Sequence, residues 1–92
     1  MIVNFHSSGV EAFFRTGQTQ GIQATHARKL AMVLAMLEVA QNPQELNHTA
    51  LRLQPVAGAS PEQWSAWIES DWRLIFRFVG VDVDVLDYRS GC

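Results

Sequence analysis

Cysteine is nearly absent. Cys92 is the only one in 92 residues, so the chain can form no internal disulfide and no metal site built on two thiolates. A reducing compartment is the matching environment. Long hydrophobic runs are missing too: the longest, Leu30 to Leu37, falls far short of the roughly 20 residues that span a bilayer. Met1 to His6 lacks the basic region and apolar stretch of a secretory signal, so no membrane association is expected and the cytoplasm is the expected location. Nor is there an excess of positive charge. Seven Lys and Arg against nine Asp and Glu give a net charge of -2, which argues against a protein that coats nucleic acid and leaves only local basic patches to consider. Glycine-rich phosphate loops, nucleophile motifs around Ser or Cys, and histidine pairs at metal-ligand spacing are all lacking. No metal or other cofactor is expected.

What is present describes a folded chain. Apolar residues make up 48% of the sequence, and charges of both signs are interspersed, unlike a disordered segment. With no repeat, low-complexity tract or linker, residues 1–92 read as a single domain with one two-layer core. Ile2 to Phe5 suits a short strand. Ser7-Ser8-Gly9 offers capping residues for a short helix, Val10 to Arg15, that ends near Gly17. Thr25 suits the N-cap of a long helix, stopped by Asn42-Pro43, whose Leu30, Val33, Leu34 and Leu37 form an apolar stripe. Ala31, Met32, Ala35 and Met36 carry the apolar character round to other faces, as in a deeply buried helix or one with a partner.

After Pro43 the pattern changes from helical to alternating. Strands are expected over Leu51–Val56, ending near Pro55, then Gln63–Glu69, Trp72–Val79 and Val81–Leu86. Ala57 to Pro61 reads as a loop, and Ser70-Asp71 and Gly80 as turns. Two helices ahead of a strand meander give an α+β domain in the order β-α-α-β-β-β-β. The helices pack on one face of a small, mainly antiparallel sheet of four to five strands, and the other face is free for function.

The most informative strand is Trp72 to Val79. At a period of two, Trp72, Leu74, Phe76 and Phe78 share one face, while Arg73, Ile75 and Arg77 share the other. The first face builds a core. On the second, guanidinium groups suit an anionic partner, phosphate above all, although the same arginines also read as solvated residues on a half-buried strand. Arg52 and Gln54 share parity on their own strand, which would bring Arg52 towards Arg73 and Arg77 on the open face. Trp67 stacks on a base if it faces outward, whereas Trp64 and Trp72 read as core. Tyr88 is a weak acid or stacking group, and Asp84 and Asp87 read first as solvated carboxylates and, as the alternative, as groups that orient an arginine or accept a proton. His6 and His48 read as exposed loop residues, and His26, with Arg28 and Lys29, as part of a basic corner.

The order of elements, together with Gly21-Ile22-Gln23, His26-Ala27-Arg28-Lys29-Leu30, Leu51-Arg52-Leu53, Gly58, Trp64-Ser65, Asp71-Trp72-Arg73 and Leu86-Asp87-Tyr88, resembles the plasmid-maintenance killer family. These are the HigB-type toxins of the RelE/ParE superfamily, and the resemblance runs over nearly the whole chain. It implies a toxin held inactive by a helix-turn-helix antitoxin of the HigA type. It also implies cleavage of messenger RNA on the ribosome without a metal, with DNA met only through the antitoxin. Cleavage of that kind needs a base for the 2′-hydroxyl, cationic donors for the phosphoryl oxygens and an acid for the leaving oxygen. Arg73 stands where such toxins carry an arginine, which makes it the expected phosphate clamp. Arg52 and Tyr88 are candidate catalytic partners; Arg77, Gln54 and Trp67 are candidate substrate-binding residues. Where family members often have a histidine and, three residues later, a lysine and glycine, this chain has Gln54 and then Ala57-Gly58. An acidic and aromatic ending is replaced by Arg89-Ser90-Gly91-Cys92. Neither Gln54 nor Ala57 can transfer a proton at neutral pH. A toxin-fold binding module with weak or lost RNase activity is therefore the alternative, and the gyrase poisoning of the ParE branch ranks third.

Overall fold

The computed structural model describes residues 1–47, 49–59 and 62–90. The loop positions expected for His48 and Pro61, and the lone Cys92, lie outside them. In chain order the elements are β1 (Ile2–Phe5), α1 (Ser8–Thr16), α2 (Ala27–Val39), β2 (Gln54–Pro55), β3 (Trp64–Glu69), β4 (Trp72–Val79) and β5 (Asp82–Ser90). Short 3-10 turns occupy Ala24–His26, Pro43–Leu46 and Thr49–Leu51.

Local chemistry sets the helix ends. The Ser7 hydroxyl accepts the Val10 N–H to start α1, and Gly17, at φ 80°, closes it by donating its N–H to the Phe13 carbonyl. The entry to α2 differs from expectation. Thr25 lies inside the 3-10 turn Ala24–His26, which runs into the helix without a side-chain cap. At the other end the chain becomes extended at Ala40, and the Asn42 side chain caps the next turn, with Pro43 in its first position.

Both helices cover one face of the sheet. Leu30, Val33, Leu34 and Leu37 of α2 are fully buried and meet Val10, Leu46, Leu51 and the inward residues Ala66, Ile68, Leu74, Phe76, Val83 and Val85. Phe76, with no exposed surface, is the largest fully buried side chain; truncating such a residue to alanine typically costs about 3–5 kcal/mol. Met32 and Met36 pack on the core margin, while Ala31 and Ala35 remain exposed.

The five strands lie in the order β1-β5-β4-β3-β2. The expected antiparallel meander runs from β2 to β5, and the parallel edge strand β1 makes the sheet mixed. β1 runs parallel to β5, with Ile2 beside Val83 and Phe5 beside Val85, and the other three pairings are antiparallel. The helical connection after β1 supplies the crossover that parallel pairing requires. A second correction concerns Leu51–Val56. Only Gln54–Pro55 pairs as a strand, because Leu51 ends a 3-10 turn and Arg52 has a left-handed backbone at φ 43°. Arg52 and Gln54 therefore do not share strand parity, and Pro55 has no N–H with which to extend the ladder.

Two bulges set the faces. The Ser70-Asp71 turn pairs Glu69 with Trp72, and in regular continuation would set Arg73 against the buried Ile68; a bulge instead pairs Trp67 with Arg73 and Ala66 with Leu74. Between β4 and β5 the register shifts at Leu86, with Phe76 opposite Val85 but Ile75 opposite Asp87. That extra residue turns Tyr88 towards the helices and leaves Asp87 and Arg89 on the open face with Ile75 and Arg73.

Candidate functional site

The open face carries a cavity of about 310 Å³ beside β2, lined by Gln54, Pro55, Val56, Ala57, Ser65, Arg73, Ile75 and Arg89. Register explains the grouping. Gln54 pairs with Ser65, Ser65 with Ile75, and Arg73 with Arg89, so side chains from four adjacent strands project to one side. Ile75, only 3% exposed, lies in this wall although it stands opposite the helix-facing core.

Arg73 is held by a hydroxyl. Its Nη1 donates to Ser65 Oγ at 3.0 Å, and among the described residues it has no carboxylate partner. Arg89, directly across from Arg73, places a second guanidinium on the cavity and donates to Asp87 Oδ2 at 3.1 Å. Like charges opposed across a ladder repel, so this end of the cavity favours an anion. Among the described residues no histidine, aspartate or glutamate lines it.

Apart from Gln54, the structure divides the other expected site residues among three places outside the cavity. Gln54 lies in the cavity with Arg73. Arg77 is four residues along β4, about 13 Å at the usual rise per strand residue, and engages Asp84 Oδ2 through Nε and Nη2, each at 3.1 Å. Asp84, expected as a solvated carboxylate, is buried; His6 Nε2 also approaches it, at 3.1 Å from Oδ1 and 3.3 Å from Oδ2. Only the Oδ2 contact has hydrogen-bond geometry.

Tyr88 faces the helices, on the opposite side of the sheet from Arg73. Its hydroxyl accepts the Gln23 N–H at 3.1 Å and lies 2.6 Å from His26 Nδ1, to which it can donate. The Tyr88 and Trp72 rings pack at 4.8 Å, and the His26 ring packs on Trp72 at 5.3 Å. His26, read as part of a basic corner, is thus buried against the sheet. Burial raises the Tyr88 pKa above the ordinary phenol value, with Glu69 adding to the rise and the Gln23 hydrogen bond opposing it.

Trp67 and Arg52 form the third place. The Arg52 guanidinium carbon sits 4.1 Å from the Trp67 ring centre, and Lys29 Nζ sits 4.5 Å from the same ring. Lys29 also donates to the Ala50 carbonyl, and the indole N–H donates to the Ser70 carbonyl at 2.7 Å. The left-handed backbone at Arg52 costs about 1–2 kcal/mol for a residue with a Cβ. Burial, and then the charge of Arg52, lower the pKa of Lys29.

Ser65 and Arg89 were not foreseen as site residues. Ser65 has a plain signal, its parity with Trp67 on a predicted strand; Arg89 has none, because only the bulge at Leu86 puts it opposite Arg73. Among the described residues no three His, Cys, Asp or Glu side chains converge to hold a metal ion, and no helix is long and apolar enough to cross a membrane.

Comparison with known proteins places this geometry in a family. Residues 3–89 match the model of the HigB-like toxin, described as the RelE-like toxin of the type II toxin–antitoxin system HigB. A protein of Proteus vulgaris named Endoribonuclease HigB is 30% identical over 90 residues, covering 98% of each chain. The match takes in most of β1 through most of β5 and every residue of the Arg73 cavity. The chain belongs to the HigB-like toxins, the RelE-like toxins of type II toxin–antitoxin systems.

Proposed function

We propose that this toxin is an endoribonuclease that cuts messenger RNA on the ribosome without a metal, arresting translation and growth in the cytoplasm. In this reading a helix-turn-helix antitoxin of the HigA type restrains it, and it meets DNA only through that antitoxin. The observation that supports the reading is Arg73, oriented by Ser65 and lacking a carboxylate partner among the described residues, in a cavity that also holds Gln54 and Arg89. A guanidinium presented in this way is a phosphate ligand in waiting.

The ribose 2′-oxygen attacks the adjacent phosphorus as it loses its proton. A new P–O bond forms and the bond to the 5′-oxygen breaks, leaving a 2′,3′-cyclic phosphate and a 5′-hydroxyl that has gained a proton. Arg73 stabilises the charge that builds on the non-bridging oxygens, Arg89 adds to the field, and the Gln54 amide donates a neutral hydrogen bond. In this reading proton transfer falls to water, since among the described residues that line the cavity there is neither imidazole nor carboxylate, and Asp87 beside it is held by Arg89. The expected enzyme is slow.

The same lack favours a second reading, a toxin-fold binding module that pairs with its antitoxin and has weak or lost RNase activity. Expression of the toxin alone separates the two. An active enzyme arrests growth and leaves cuts in translated messages, and Arg73→Ala abolishes both effects while the variant stays folded. Normal growth with abundant folded protein refutes the enzyme reading. Co-purification with the product of an adjacent helix-turn-helix gene, over an interface of about 1,200 Å² or more, is expected in either case.

A further inference from the structure

Lys29, Arg52 and Trp67 make a second cationic group outside the Arg73 cavity. Of the seven Lys and Arg residues, Arg15, Arg77 and Arg89 are ion-paired with Glu11, Asp84 and Asp87. Among the described residues Lys29 and Arg52 have no such partner, yet both are drawn to one indole ring, at 4.5 and 4.1 Å. Two like charges beside one ring repel each other, and Arg52 reaches the ring from a backbone in the left-handed region. The cation–π contacts offset part of that repulsion, and an anion would remove the rest.

Position indicates which anion. Trp67 is the direct cross-strand partner of Arg73, and Arg52 precedes Gln54 of the cavity by two residues. The pair of cations thus adjoins the edge of the sheet next to the place where a phosphate would bind Arg73. We propose that Lys29 and Arg52, steadied on Trp67, form a second phosphate site that holds the backbone of single-stranded RNA flanking the cavity. This rests on the RNA-cleaving reading and extends it. Trp67 serves here as a platform for cations rather than as a stacking surface for a base. Lys29, on α2, joins the RNA-binding surface although it is remote in sequence from every cavity residue. Contacts to phosphate are insensitive to base identity, so the site adds affinity without sequence preference.

The test is fluorescence anisotropy with a short single-stranded RNA whose 2′-oxygens are methylated, so that it binds but cannot be cut. Binding is measured against salt concentration for the unaltered protein and for Lys29→Gln, Arg52→Gln, Lys29→Arg and Arg73→Ala. Lys29→Gln and Arg52→Gln are each expected to weaken binding about 3- to 10-fold on every sequence. Each should also reduce the slope of log affinity against log salt by about 0.7, the loss of one phosphate contact on a single strand. Lys29→Arg retains most of the affinity. If both glutamine variants bind with the original affinity and slope while Arg73→Ala weakens binding, the proposal is overturned and the group is only an internal clamp. If Arg73→Ala has no effect but the glutamine variants do, the second site stands and the reading of the cavity fails. Should Lys29→Gln lower the thermal midpoint, the exposed Arg52 decides the outcome by the same two criteria.

Discussion

Replacing Gln54 by histidine tests whether the cavity lacks only a proton-transfer group. Gln54 is exposed and pairs with Ser65, whose hydroxyl holds Arg73 at 3.0 Å. Side chains directly opposed across an antiparallel pair have their Cβ atoms about 4.5–5.5 Å apart, so an imidazole at 54 reaches a phosphate on Arg73 without backbone movement. Little stability is at risk, since an exposed substitution of this kind changes folding by about 0.5 kcal/mol or less. A positioned general base contributes about 10²- to 10⁴-fold, equivalent to roughly 3–5 kcal/mol of barrier. Arg73 and Arg89 disfavour the imidazolium form, so the base is available at neutral pH and activity falls only below the ordinary histidine range, about pH 6.5. The assay is the rate of cleavage of a translated message in a purified translation mixture, followed from pH 5 to 8 (the range, on the order of one to two units either side of that value, in which imidazole titrates). Gln54→His is expected to raise the rate by at least about 10²-fold and to introduce a sigmoidal pH profile, with no gain when Arg73→Ala is also present. An unchanged rate, or an equal gain without Arg73, refutes the assignment of the cavity as the cleavage site.

Three further predictions concern the frame around the site. A Cβ at Gly21 would lie 2.5 Å from the Gly9 Cα, where only backbone could give way, so Gly21→Ala should destabilise the chain by about 1–3 kcal/mol and lower the thermal midpoint by several degrees. Arg77→Met leaves the buried Asp84 facing only His6, with an expected loss of about 1–3 kcal/mol in denaturant unfolding after allowance for the partial exposure of Arg77; a neutral result would contradict the pairing. The Tyr88 phenol should titrate above its ordinary value by ultraviolet absorbance. Its raised folded pKa means that the stability it contributes is complete below the unfolded value and is lost as pH rises through the folded one. Tyr88→Phe should abolish that titration, since this is the chain's only tyrosine, and cost about 1–3 kcal/mol by leaving His26 and the Gln23 N–H unpartnered.

Much of the architecture was legible because local rules and tertiary packing agree. Ser7 and Gly17 bound α1 as capping chemistry dictates, Leu30, Val33, Leu34 and Leu37 face the core, and on β4 Leu74 and Phe76 join that core while Arg73 lies on the other face, in the cavity. Legibility ended where one residue changes parity. The left-handed Arg52 breaks the expected strand and separates its side chain from the Gln54 face, and no propensity rule places a left-handed arginine there. His26 was not legible for a related reason: along the chain it sits near Arg28 and Lys29, whereas its spatial neighbours are Trp72 and Tyr88.

The sequence alone determined that one face of β4 would be apolar and the other would carry Arg73 and Arg77, because side-chain alternation is a property of the extended backbone itself. It also determined the helices, through periodicity and, for α1, capping, and the resemblance that led to the toxin family. Only the tertiary structure decided which groups stand beside Arg73. Pairing partners depend on register, and a single extra residue at Leu86 sends Tyr88 to the helix side and brings Arg89 to the cavity. It likewise gathered Lys29 and Arg52 onto Trp67, a contact between helix, turn and strand that no spacing along the chain encodes.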